Sequence, residues 1–298
     1  MGVEGHVADL PFDTRLRFLA EEMAALGELI ARDGVDLSDP TPAYGWRAID
    51  ALTHLAFLDR LFLLALRDPD GFAAGVAAFQ NAVRSLGQAA RDTKTLFRAM
   101  ADHARSALGG PGPDALAGLW ADGGRALIAA VATVPPDRKI TWLGQSMTIA
   151  RLVSARHMES WAYGQDIFDG LGAWRDEGDR IIQVADFCVR TFRFSFVNRG
   201  LAAPPRPTVR LTAPSGAIWE WRGDSADRVE GSAVDFALVA TQRRHVEDTA
   251  LCVEGEVAAR WMRISQCIGG PVLDGPAPGE RRRVETPAKA GDRPAGRG

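Results

Sequence analysis

Glu159, Tyr163 and Asp166 stand four and three residues apart in the stretch RHMESWAYGQDIF, Arg156 to Phe168, with Arg156 one turn before them. In a helix this spacing sets all four on one stripe. A carboxylate and a phenol one turn apart could exchange protons with a small substrate, while Arg156 countered its charge and Asp166 helped to hold it. His54, in DALTHLAFLDRLF, lies on a segment that is otherwise apolar nearly all round. A buried imidazole needs a partner, because an unpaired polar group in an apolar setting costs a few kcal/mol. It is either a core histidine with one hydrogen bond or a metal-ligating or acid–base group facing Glu159 across a bundle. Metal sites in helical bundles are built in this second way. Asp59, five residues on, points elsewhere and could support such a site from behind.

Tyr163 is one of only two tyrosines. As a metal ligand it would first have to lose a proton whose pKa is about 10. As a proton donor or hydrogen-bond anchor it would not, and as a structural ring it would do neither. His157 lies two residues from Glu159, hence on another face, and reads as a packed or solvent-edge histidine. Arg243, Arg244 and His245 form a second cluster. They are either a solvated charge run or a fork able to clamp a carboxylate or phosphate.

These residues need elements to carry them. Apolar positions Leu16, Leu19, Met23, Leu26 and Ile30 predict a first helix, and a second covers Ala48 to Arg67 before DPDG. A third helical stretch runs from Phe72 to Leu108, broken near Gly87. Pro113 suits the first turn of a fourth, which Pro135 and Pro136 end. KITWLG reads as a short extended link, and a fifth helix from Thr148 to about Gly170 carries the opening motif. GDRIIQVADFCVRTFRFSFVNRG reads as one further helix, and PTVRLTAPSGAIWEWRG as a hairpin. A helix near Ala233–Gln242, a strand near Ala250–Val253 and a helix near Val257–Cys267 complete an α+β unit. The stretch from Pro276 lacks periodicity and is expected to be disordered.

Composition narrows the function classes. The 298 residues carry a net charge of −3 without a basic face, which argues against nucleic acid as a partner. Three cysteines far apart predict a reduced, cytoplasmic protein, and no apolar run is long enough to imply a membrane partner. Cys188 and Cys267 read as small buried hydrophobes.

THLAFLD followed by RHMESWAYGQDIFDGLG resembles the DinB-like superfamily, and within it the mycothiol-dependent maleylpyruvate isomerase group. GWRAIDALTHLAFLD, DPDGF and the C-terminal GLAAPPRPTVRLTAPSGAIWEW and DFALVATQRRHVEDTALCVEGEVAARWM are similar to a mainly actinobacterial branch of it. The C-terminal part resembles a wyosine-base-formation-like domain. The resemblance implies a mainly α fold: a DinB-like up-and-down bundle over residues 1–185, a small α+β domain over 186–273 and a tail from 274 to 298. It also implies a divalent metal held by a His and by Glu-x-x-x-His-x-x-Asp. His54, Glu159 and Asp166 match that pattern, and Tyr163 stands where the second His should be. Members isomerise maleylpyruvate or transfer thiols.

The residues favour a small-molecule isomerase, cyclase or lyase that works by acid–base chemistry without a cofactor. Glu159, Tyr163 and His54 would be catalytic, and Arg156, Asp166, Arg243 and Arg244 would bind an organic, anionic substrate. A second reading keeps Zn²⁺ or Ni²⁺ on His54 and Glu159, with mycothiol as cosubstrate. A third is a binding protein that has kept the pocket and lost the chemistry.

Overall fold

A computed structural model describes residues 5–6, 10–267 and 269–281. The apolar repeat of the N-terminal half forms α1 (Phe12–Ile30), α2 (Ala48–Arg67), α3 (Pro69–Ser85), α4 (Thr93–Ala107), α5 (Pro113–Ala132) and α6 (Ile149–Gly170). Local chemistry sets several starts. Asp68 accepts from Gly71 N at 3.0 Å ahead of α3, which has Pro69 in its first turn, and Asp92 accepts from Thr95 N at 2.7 Å ahead of α4. The break near Gly87 is a 3₁₀ turn, Gly87–Arg91, entered through a left-handed glycine.

α2 packs against α3, α4, α5 and α6, while α1 lies against α5 and α6. The shared core includes Leu19, Leu26, Leu52, Leu55, Trp120 and Ile167. α5 is long and apolar enough by composition to cross a membrane, but its Leu116, Trp120, Leu127 and Val131 are packed into this bundle. KITWLG is one arm of a small hairpin, β2 (Lys139–Trp142) and β3 (Gln145–Thr148), closed by Leu143 and Gly144 at φ 47° and 82°. Consecutive positive φ values are what a tight two-residue hairpin turn requires.

The expected single helix after Gly178 is two, α7 (Ile181–Arg190) and α8 (Phe192–Val197). They part at Thr191, whose hydroxyl turns back to the Phe187 and Cys188 carbonyls at 2.8 and 3.1 Å. The hairpin forms as β4 (Thr208–Thr212) and β5 (Ile218–Trp221). β6 (Arg228–Ser232), absent from the sequence reading, pairs parallel to β4 on its other side and antiparallel to β7 (Cys252–Glu254). β1 (Gly5–His6) extends the sheet beyond β5, giving the order β1-β5-β4-β6-β7. α9 (Ala233–Ala240) and α10 (Glu256–Ile264) complete this unit.

The chain is thus a helical bundle followed by a small α+β domain. α6 serves both cores: Tyr163 and Ile167 lie in the bundle, whereas Met158, Trp161 and Ala162 join α7, the sheet and α9. Residues 274–281 depart from the expected disorder. Gly279 N donates to both Asp248 carboxylate oxygens at 2.8 and 2.9 Å, and Arg281 is buried. Polar and glycine-rich composition describes this segment, but backbone anchoring overrides it. Residues 282–298, the rest of that stretch, lie outside the described residues.

Candidate functional site

α2 and α6 bring His54 and Glu159 together: Nε2 lies 3.5 Å from Oε2, with the two side chains 12% and 18% exposed. This is ion-pair distance without a formed hydrogen bond, and Glu159 Oε2 has no hydrogen-bond donor among the described residues. The Tyr163 ring stands edge-on to the imidazole at a centroid distance of 4.6 Å. Burial, and after it the Glu159 charge, push its phenol well above 10, so the proton stays on the ring oxygen.

Trp46 completes this group. The loop before α2 reverses at Tyr44 and Gly45, both left-handed at φ 59° and 73°, and Thr41 N closes it onto the Trp46 carbonyl at 2.7 Å. The Trp46 indole donates to the Phe97 carbonyl at 2.8 Å and lies 5.4 Å from His54 and 5.6 Å from Tyr163. Tyr44 stacks on Phe97 at 3.7 Å. Trp46 belongs to GWRAID, directly before the predicted helix, but its role depends on a turn that spacing does not reveal.

The stripe of α6 serves three partners rather than one. Arg156 is buried against α2, where Asp59 accepts from Nε at 2.5 Å and from Nη2 at 3.1 Å, and the Leu55 carbonyl accepts at 3.0 Å. It therefore neutralises Asp59 instead of countering a substrate. Asp166 accepts from Arg243 Nη2 at 2.8 Å, and Arg243 Nε donates to the Ala162 carbonyl at 3.0 Å. Arg244 Nη2 donates to Asp169 at 2.9 Å. Arg243 and Arg244 thus do not form an open clamp for an external anion, because their carboxylates come from α6. Arg243 also lies over the Tyr163 ring at 4.7 Å. Burial alone would lower its pKa, but Asp166 and the two phenols more than compensate and hold its charge firmly. Burial pushes Asp166 up, only partly offset by Arg243 and Arg281.

A second buried network has no counterpart in the sequence reading. Glu22 is fully buried and takes hydrogen bonds from Arg175 and, at 2.9 Å, from Arg180. Arg175 also donates to the Trp161 carbonyl at 2.8 Å. His157, expected to be packed or at the solvent edge, is wholly buried with Nε2 3.9 Å from Glu22. The available signal was Glu22 itself, a charge on the Leu19–Met23–Leu26 stripe of α1.

The donor set does not fit a three-ligand metal site. His54 and Glu159 supply two donors, and a metal at the third position would have to displace the proton that burial fixes on Tyr163. Among the described residues no three His, Cys, Asp or Glu side chains converge elsewhere to hold a metal ion.

The model of the mycothiol maleylpyruvate isomerase N-terminal domain matches residues 16–168, just over half of the chain, spanning both His54 and the α6 residues. The chain belongs to this family. An uncharacterised protein of Mycobacterium tuberculosis, found in two strains, is 35% identical over 263 residues, covering 88% of this chain and 96% of its own. The crystal structure of the mycothiol-dependent maleylpyruvate isomerase aligns at a TM-score of 0.49 and 17% identity, covering 79% of this chain and 90% of that one. A mutant of the same enzyme aligns at 0.47. The family match ends at Phe168, so it concerns the bundle and not the smaller domain.

Proposed function

We propose that the protein is an enzyme of the isomerase type that acts on a small organic substrate by acid–base chemistry. One observation carries the reading: the 3.5 Å approach of His54 Nε2 to a Glu159 Oε2 that no donor occupies, with the protonated Tyr163 against the imidazole. Glu159 would take a proton from one atom of the substrate. Tyr163 or the newly protonated Glu159 would return a proton at another atom, leaving the substrate rearranged and neither oxidised nor reduced; where Tyr163 gives it, the proton held on Glu159 passes back to the phenolate and resets the site. His54 would orient Glu159 and the reacting group. Such proton transfers contribute on the order of 10²- to 10⁴-fold in rate.

Family membership favours a second reading, in which mycothiol is a cosubstrate. Its thiol, deprotonated by the His54–Glu159 pair, would add to a carbon–carbon double bond and leave again after rotation about the resulting single bond. The experiment is product analysis by NMR with maleylpyruvate, with and without mycothiol. Turnover that requires the thiol selects the second reading. Turnover without it selects the first, and Glu159→Gln should abolish either. Ligand binding with no turnover under both conditions would leave only the binding-protein reading.

A further inference from the structure

Each arginine on the α6 side of the site already holds a carboxylate: Arg156 has Asp59, Arg243 has Asp166 and Arg244 has Asp169. Arg281 differs. It is only 6% exposed, and among the described residues no carboxylate lies within ion-pair distance of it. Nη1 donates to the Gln242 carbonyl at 3.1 Å, while Nε is buried without an acceptor. With one carbonyl on Nη1 and Asp166 beyond contact distance, the buried Nε donor is left unmet, which is costly until an acceptor reaches it.

The backbone is arranged to keep it there. Residues 269–281 form a strap along the small domain. Gln242 Nε2 donates to the Leu273 carbonyl at 2.6 Å, Arg199 donates to Asp274 at 3.1 Å, and Gly279 N is fixed on Asp248. Gln242 is itself left-handed at φ 63°, a conformation rare for its side chain and held only by what surrounds it. The strap lays the Arg281 guanidinium over the Tyr44 ring at 5.6 Å. Tyr44 is stacked on Phe97 at 3.7 Å and lies 6.2 Å from Trp46, the ring that touches both His54 and Tyr163. Asp166 is close enough to feel the Arg281 charge, and its Oδ1 is buried with no donor.

We infer that Arg281 is the anion-recognising residue of this site and that it binds a carboxylate of a small organic acid. The inference rests on reading His54 and Glu159 as the reacting centre, and it supplies the anion contact that the engaged Arg243 and Arg244 do not. A carboxylate would complete the Nε and Nη donors of the fork at one end of the aromatic floor, leaving the rest of the molecule to extend toward His54. Arg281 is a binding residue here and takes no proton.

The test uses the full chain and a probe series of acetate, succinate, fumarate and maleate, with the diamide of maleic acid as an uncharged control, read by calorimetry. At least one dicarboxylate should bind and the diamide should not. Arg281→Gln should weaken that binding about tenfold or more, as expected for a lost charged hydrogen bond. Arg281→Lys, which keeps the charge and loses the fork, should fall between. A wild-type chain that binds none of the carboxylates overturns the assignment, and so does an Arg281→Gln chain that binds as tightly as wild type. Should Arg281→Gln fail to fold, Arg281→Lys decides, since unchanged affinity there also overturns it. A turnover assay on the same wild-type and Arg281→Gln chains separates this inference from the functional reading. Carboxylate binding that depends on Arg281 without any turnover keeps the inference and removes the enzyme. Turnover indifferent to Arg281 does the reverse.

Discussion

Arg243 Nη2 meets Asp166 Oδ2 at 2.8 Å while its Nε holds the Ala162 carbonyl one turn earlier, so a single guanidinium ties the end of α9 to α6. Both residues are essentially without solvent contact. In such a pair, removing one partner strands the other charge, at a cost of about 3–5 kcal/mol. Arg243→Met is therefore expected to destabilise the protein by that amount in denaturant titration. Arg243→Met with Asp166→Leu should recover much of it, because replacing both partners leaves no stranded charge. A single variant within about 1 kcal/mol of wild type would show that the pair does not hold the two units together.

Glu22 gives the stability a direction in pH. Burial pushes its carboxyl up, but Arg175, with His157 and Arg180 beside it, more than offsets this and holds it far below its ordinary value of 4.5. A carboxyl depressed on folding contributes stability that is present above its unfolded pKa and is lost as pH falls. Acidification from about pH 5 downward should thus lower the unfolding free energy, by up to roughly 1.4 kcal/mol per pH unit for this one group. Glu22→Gln should flatten that part of the profile while destabilising the protein at neutral pH. An unchanged acid limb in the variant would assign the acid sensitivity to other groups.

Tyr163 can be tested by restoring what the family pattern places there. Tyr163→His would set a second imidazole beside His54 and Glu159, giving three donors available at neutral pH. The variant is expected to bind Zn²⁺ or Ni²⁺ near one equivalent by elemental analysis, and the wild type far less. The proton that Tyr163 must shed sets the difference: about three pH units of displacement is roughly a thousandfold in affinity. A stoichiometric metal in the purified wild type, with activity lost to a chelator, would reverse this conclusion.

The bundle was legible because its helices repeat apolar residues over four or five turns and end at proline and glycine. The approach of His54 to Glu159 was legible because a polar residue inside an apolar helix asks for a partner, and the α6 stripe offers one. Arg243 and Arg244 were found as chemistry but given the wrong partner. A sequence shows that a guanidinium can hold a carboxylate, but not that Asp166 and Asp169 are nearer than any ligand. β6 was missed because RVEGS is short and half polar, and its parallel pairing to β4 is a long-range contact with no local pattern. Arg281 was hidden in a segment whose composition resembles disorder, since what orders it is hydrogen bonding to Asp248 and Gln242, long-range contacts with no local pattern in the sequence.

If Tyr163 donates a proton, its removal should cost activity in a way a packing defect would not. Tyr163→Phe keeps the ring against His54 and Trp46 and deletes only the oxygen. A fall in kcat on the order of 10²-fold or more is expected, with the thermal midpoint little changed. The pH profile separates the roles further. Burial, reinforced by Glu159, raises the phenol well above 10, so the donor stays loaded across the neutral and mildly alkaline range. The ratio of wild-type to Tyr163→Phe activity should therefore be flat from about pH 6 to pH 9. The same shift makes folding favour the protonated phenol, so this contribution to stability is complete below the unfolded pKa of about 10 and is lost as pH rises from there through the higher pKa of the folded state. A ratio that declines toward one by pH 9 would mean that the phenol ionises within that range and is not the sequestered donor described here. A ratio near one at every pH would leave Tyr163 as a packed ring and return the whole proton transfer to His54 and Glu159.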